Sequence, residues 1–126
     1  MGRKDIELFS SRKKRGLAGE ERAVNFLTGK GYQILERNYR CPQGEIDIIA
    51  LDGKVLVFVE VRTRRASDYG FPEESVTSLK QRRIIRCATW YLHYKKREMQ
   101  DCRFDVIAII GDRIEHIAGA FDIGNG

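Results

Sequence analysis

Gly44-Glu45-Ile46-Asp47-Ile48-Ile49-Ala50-Leu51-Asp52-Gly53-Lys54-Val55-Leu56-Val57-Phe58-Val59-Glu60-Val61-Arg62 is the stretch whose pattern sets the architecture. Two runs rich in Ile and Val, Glu45 to Ala50 and Val55 to Arg62, flank Asp52-Gly53, a dipeptide that favours a two-residue hairpin turn. The runs are therefore expected to be paired antiparallel strands. The second is apolar on both alternating faces, as a strand interior to a sheet would be. A two-residue turn at Asp52-Gly53 sets Leu51 opposite Lys54 and Asp47 opposite Phe58, with Glu60 the diagonal neighbour of Asp47 on the same face. Backbones in that relation lie roughly 7–8 Å apart, close enough for two carboxylates to converge on one cation. Arg62 shares the face. A turn one residue longer would reverse the parity and separate Asp47 from Glu60.

Working outward, apolar residues recur at helical spacing from Gly16 to about Thr28, and Gly29 and Gly31 interrupt the pattern, so a first helix is predicted there. Tyr32 to Tyr39 reads as a strand. Beyond the central hairpin, Arg64 to Pro72 reads as a loop. Glu73 to about Arg97 supports a long helix that starts in acidic residues and ends in basic ones, as the helix dipole prefers. Phe104 to Ile110 and Arg113 to Ile117 form a last hairpin across Gly111-Asp112. The order is helix, three strands, helix, two strands. An α/β sandwich follows, with a mixed sheet flanked by helices.

At 126 residues the chain suits one domain, here 16–126, preceded by a basic arm over 1–15 that reads as flexible. No run of about 18 apolar residues suggests a membrane span, and no apolar signal core follows the basic start, so a cytoplasmic protein is expected. Cys41, Cys87 and Cys102 are odd in number and form no CxxC pair, which points to reduced packing residues. His93 and His116 lack ligand spacing and read as surface or core-edge groups. The formal charge of +5 favours a polyanionic partner. Arg3, Lys4 and Arg12 to Arg15 concentrate it in the arm. Arg62, Arg64 and Arg65, then Lys80, Arg82, Arg83 and Arg86, form a second concentration.

Three acids stand where apolar residues would be expected. Glu20 shares the stripe of Ala23, Val24 and Leu27 on the first helix, although a residue so near a helix start also serves the dipole or a cap. Asp47 and Glu60 are diagonal neighbours on one face of the hairpin. A charge in the run around Glu60 is costly unless paired or metal-bound, so Glu60 either bridges to Arg62 or another arginine, or joins Asp47 around an ion. Oxygen ligands suit Mg²⁺ or Mn²⁺. Such an ion beside a basic surface points to phosphodiester hydrolysis, with positive neighbours stabilising the charge that develops on phosphorus oxygens. Lys80 lies on the helix side that carries Ile84, Cys87, Ala88 and Tyr91, from which it reaches either the acidic site or, by snorkelling, the solvent. Arg82, Arg83 and Arg86 share another face, suited to a nucleic-acid backbone. Tyr69, Phe71 and the Arg64-Arg65 pair are candidates to stack on or clamp a strand, or simply to anchor their loop.

Five motifs in order, Gly16-x-x-Gly19-Glu20-x-x-Ala23, Gly31-Tyr32-x-Ile34-Leu35-x-Arg37-Asn38, Gly44 to Ala50, Val57-Phe58-Val59-Glu60-Val61-Arg62-x-Arg64 and Arg103-Phe104-Asp105, closely resemble the YraN-like family of uncharacterised bacterial proteins. The resemblance covers Gly16 to about Phe121. It implies a restriction-endonuclease-like fold with an αβββαβ core, within the PD-(D/E)XK nucleases and related to archaeal Holliday junction resolvases. By position, Asp47 matches the motif aspartate, Glu60 the second acid and Glu20 the helix glutamate of the resolvase branch. Arg62 stands where the superfamily pattern has lysine. Arginine stays protonated and cannot act as a general base, so water activation would fall to the metal or to Lys80. The expected activity is a Mg²⁺-dependent DNA endonuclease acting on branched or damaged structures. Its expected metal ligands are Glu20, Asp47 and Glu60, with Arg62 as electrostatic partner. The competing expectation is a non-catalytic nucleic-acid-binding protein that keeps the nuclease fold. Symmetric cutting of a duplex would call for a homodimer.

Overall fold

The computed structural model describes residues 18–64 and 76–122. The arm, Arg65, Tyr69 and Phe71 lie outside the described residues. A first helix, α1, covers residues 18–29. The strands are β1 (Gln33–Cys41), β2 (Gly44–Asp52), β3 (Val55–Arg64), β4 (Cys102–Ile110) and β5 (Arg113–Phe121), and the second helix, α2, is Ser78–Tyr94. They form one sheet in the order β1-β2-β3-β4-β5. Only the β3–β4 pair is parallel, and α2 lies in the connection between these two strands, as parallel neighbours require.

Each helix covers one face of this mixed sheet. Ala23 and Leu27 of α1, both fully buried, pack on Ile48, Ala50, Val57, Val59, Ile107 and Ile109. Ile84, Cys87, Ala88, Tyr91 and Leu92 of α2 pack with Leu56, Phe58, Phe104 and Val106 on the other. This is the α/β sandwich expected, with the predicted order of elements. Gly19 allows α1 to approach the sheet closely, because a methyl group there would come within 2.9 Å of the Thr63 hydroxyl. Cys41 and Cys87, both free thiols, touch at 3.0 Å beneath α2, and burial pushes the Cys87 thiol up to about 12.

Two expectations need correction. First, α2 begins at Ser78 rather than Glu73 and ends at Tyr94 rather than near Arg97. Thr77 is the N-cap, its hydroxyl accepting the Lys80 N–H at 3.2 Å, and the first turn holds no acid. At the far end Lys96 adopts φ +55° and the Arg97 N–H donates to the Leu92 carbonyl at 2.7 Å, which closes the helix early. Second, the central hairpin turns on Gly53-Lys54, with Asp52 paired to Val55 and Ile49 to Phe58. Gly53 alone supplies the positive φ, +61°, at the first turn position, as a turn with leading glycine needs. Asp52 stays in the ladder, where its carboxylate meets Arg103. The register therefore shifts by two residues and places Asp47 in line with Glu60 instead of diagonal to it.

Candidate active site

The alternation of faces along β1 and β2 breaks at one level of the sheet. Ile48 packs on the α1 side, with its partner Arg37 bridging to Glu21 of α1 at 3.0 Å. Two residues further, Ile46 and its partner Tyr39 both pack on the α2 side. Residues two apart in a regular strand share a face. Both strands thus rotate between these pairs, at Asp47 and at Asn38, which takes up φ +52°. Asparagine is one of the few side chains that tolerates this left-handed conformation. The regular β2–β3 register ends at Ile48–Val59, and just beyond it the Asp47 carboxylate accepts the Val61 N–H at 2.8 Å.

This rotation brings acids from both faces of the sheet to one carboxylate. Glu60, 6% exposed, lies on the α2 side, where Lys80 Nζ reaches its Oε1 at 2.7 Å and Arg62 Nη1 stands at 3.8 Å. Glu20 comes from the first described turn of α1, and its Oε2 is enclosed without a hydrogen-bond partner among the described residues. Asp47 lies between the two, hydrogen-bonded to Glu60 and repelled by Glu20. Its carboxyl is pushed up to about 7, first by burial and then by the negative charge of Glu60, against the lowering effect of the Val61 amide. The three predicted acids are therefore neighbours. Among the described residues, however, no three carboxylate, imidazole or thiol groups are arranged so that they could hold a metal ion as they stand.

Lys80 points inward beside Ile84, Cys87, Ala88 and Tyr91, as its helical position predicts, and reaches the acidic site. Arg82, Arg83 and Arg86 are exposed on α2, and among the described residues they form no ion pair. Arg64 is half-buried at the end of β3. Arg65 lies outside the described residues. The basic groups thus divide into an inner pair at Glu60 and an outer row on the helix.

A second polar cluster lies beyond the other end of α1. Asp105 is fully buried and is held by Arg103 through Nε at 2.8 Å and Nη2 at 3.0 Å, by His116 Nε2 at 2.7 Å and by the Gly119 N–H at 3.0 Å. Arg103 also reaches Tyr32 Oη at 2.8 Å and Asp52 at 3.2 Å, while Lys30 Nζ lies 2.9 Å from His116 Nδ1. Burial alone would raise the Asp105 carboxyl, but the hydrogen bonds from His116, Arg103 and Gly119 outweigh it and hold it below the usual range. His93 is an exposed surface residue as expected, whereas the His116 side chain is only 5% exposed and belongs to this cluster. Of the two readings expected for it, surface or core-edge, His116 takes the second, on the edge strand β5. The signal was present in the sequence. Asp105 interrupts the apolar run Phe104 to Ile110 much as Glu60 interrupts its own, with Arg103 two residues away on the same face.

A family model described as uncharacterised protein family UPF0102 matches residues 19–109, which include Glu20, Asp47 and Glu60 and, of the second cluster, Arg103 and Asp105 but not His116 or Gly119. The chain belongs to this family. Its similarity to curated relatives extends over most of both chains. A UPF0102 protein of Moorella thermoacetica is 50% identical over 109 residues, covering 86% of this chain and 91% of the relative. One of Persephonella marina is 47% identical over 109 residues, 86% of this chain and 94% of the relative. One of Geotalea daltonii is 51% identical over 113 residues, with 86% and 89% covered. UPF0102 membership agrees with the YraN-like resemblance. No helix among the described residues is long and apolar enough to cross a membrane.

Proposed function

We propose that this UPF0102 chain is a divalent-metal-dependent nuclease that hydrolyses DNA phosphodiester bonds, with branched or damaged DNA as its substrate. The observation that carries this reading is the meeting of Glu20, Asp47 and Glu60, from three separate elements, beside Lys80 and Arg62. Negative charge there exceeds what the neighbouring cations balance, as the enclosed oxygen of Glu20 and the raised carboxyl of Asp47 indicate. A hard cation suits such a site, and Glu20, Asp47 and Glu60 would hold Mg²⁺ or Mn²⁺. When bound, the ion would polarise a phosphoryl oxygen and lower the pKa of a water.

The remaining work falls to the chain's own groups. Asp47 must lose its proton to act as a ligand, so binding of a divalent ion should strengthen as pH rises towards 7 and release a proton below it. Arg62 stays protonated and serves as a fixed positive charge for the phosphorane-like transition state. The Lys80 ammonium, part-exposed at the edge of the site, would exchange Glu60 for a phosphate oxygen. Arg82, Arg83 and Arg86 would hold the flanking backbone.

One observation favours a second reading, a nucleic-acid-binding protein without catalysis: Lys80 already neutralises Glu60 at 2.7 Å. Labelled linear, single-stranded and four-way-junction DNA, incubated with the chain with and without Mg²⁺ or Mn²⁺, separates the two. The nuclease reading expects cleavage only with a divalent ion, lost in Asp47→Ala. Salt-sensitive binding that survives Asp47→Ala, with no cleavage in any metal, would establish the binder instead. Sedimentation on junction DNA should find two copies of the chain if cutting is paired.

A further inference from the structure

The outer surface of α2 carries a stripe that the acidic site does not use. Leu79, Arg83, Arg86 and Trp90 follow one another at i, i+4, i+7 and i+11, which places them along one side of the helix. Leu79 is 53% and Trp90 43% exposed, unusual for large apolar side chains on a helix whose other side is core. Two depressions, each of about 430 Å³, lie along the stripe. One is lined by Leu79, Lys80, Arg83 and Gly44, and the other by Arg86, Thr89, Trp90, His93 and Gln43. The β1–β2 connection contributes Gln43 to one and the adjacent Gly44 to the other, so the two depressions follow one another as a track between that connection and α2. Lys80, which touches Glu60, stands at its inner end.

We infer that this track binds a single nucleic-acid strand, with Trp90 as a stacking platform for an unpaired base and Arg83 and Arg86 on the backbone. The inference rests on the polyanion reading of the proposed function and deepens it by naming unpaired DNA as the bound form. Lys80 and Trp90 are ten residues apart on the helix, roughly 15 Å along its axis. That distance spans about two to four nucleotides at 3.4 Å or more per step. Among the described residues Trp90 has no ring or cation partner, whereas the neighbouring Tyr94 has Lys95 Nζ 5.9 Å from its ring centre. An exposed aromatic face flanked by unpaired guanidinium groups is the combination that single-stranded nucleic acid recognises, with stacking for the base and positive charge for the phosphates. Glu45 is the acid in the track, and Arg40 pairs with it at 3.3 Å.

Charge decides against the other occupants. A second copy laid stripe to stripe would bring Arg83 and Arg86 against their own counterparts. The arm carries Arg3, Lys4, Arg12, Lys13, Lys14 and Arg15 and would meet the same repulsion.

Trp90 is the only tryptophan in the chain, so its fluorescence reports on the track directly. Titrating the full-length protein with an oligothymidylate in metal-free buffer should quench its emission to saturation. Trp90→Ala, followed by anisotropy of a labelled oligonucleotide, should weaken binding roughly 5- to 100-fold, while Trp90→Phe keeps most of it. Arg86→Ala should lower the salt dependence of binding by about one ion. Quenching without cleavage in any metal would remove the nuclease reading and leave the track. Cleavage or binding with unchanged emission, and full affinity in a folded Trp90→Ala, would overturn the track and leave the nuclease. An emission change that follows protein concentration without DNA would assign the stripe to self-association and overturn the inference as well.

Discussion

Two acidic clusters at opposite ends of α1 treat buried carboxylates in opposite ways. Around Asp105 every charge is matched: an arginine, a histidine and a backbone amide surround one carboxylate, and its pKa falls. Around Asp47 three carboxylates meet one lysine and a distant arginine, one oxygen has no partner among the described residues, and a pKa rises to about 7. A buried charge that is fully paired is tolerated by the fold, and removing one partner is costly because it strands the rest. A cluster left short of positive charge costs stability. The contrast separates a fully paired anchor of the architecture from a cluster that its own neighbours leave unbalanced.

The largest expected effect is at the anchor. Asp105→Ala strands Arg103 and His116 in a buried environment and should cost about 3–5 kcal/mol, read by chemical denaturation at neutral pH. Because the Asp105 pKa is lowered on folding, its contribution is present at neutral pH and is lost as pH falls below about 4. A loss under about 1 kcal/mol would dissolve the distinction between the clusters. Asp47→Asn should do the reverse. The folded-state carboxyl titrates near 7 and the unfolded one near 3.8, so the folded protein binds more protons between these values and stability declines as pH rises through them. The neutral amide escapes that decline. It should raise stability by about 2 kcal/mol more at pH 8 than at pH 5. Melting curves at the two pH values test this, and an equal gain at both would show that charge is not the cause.

The sheet rotation that joins Glu20 to Glu60 through Asp47 gives a subtler test. Asn38→Val places a β-branched residue at φ +52° and should cost about 1–2 kcal/mol, whereas Asn38→Gly should be close to neutral. Similar losses for both would point to the asparagine side chain rather than the backbone. The smallest effect belongs to the periphery of the anchor. Tyr32→Phe removes one acceptor from Arg103, which keeps Asp105 and Asp52, and should cost about 1 kcal/mol in the same denaturation assay.

Much of the site was legible because an acid within an apolar periodicity is conspicuous. Glu20 in a helical stripe and Glu60 in a strand of valines stood out by pattern, and the inward direction of Lys80 followed from its helix position. Asp105 carried the same signal and went unread, because His116, Lys30 and Tyr32 that complete its cluster are distant in the chain. The hairpin register was less legible. Asp52-Gly53 and Gly53-Lys54 are both acceptable two-residue turns by composition, and choosing between them depended on Asp52 remaining in the ladder opposite Val55.

The sequence alone determined the elements, their order and the sandwich, because periodicity and turn chemistry are local and act before any distant contact forms. It also determined which acids had to be buried, because hydrophobic neighbours set the face on which a residue lies. Only the tertiary structure decided what each buried acid meets. Asp105 finds Arg103 on β4 and His116 on β5, and Asp47 finds two more carboxylates where both strands rotate. Pairing energy depends on distances between segments far apart in the chain, and no local pattern encodes those distances.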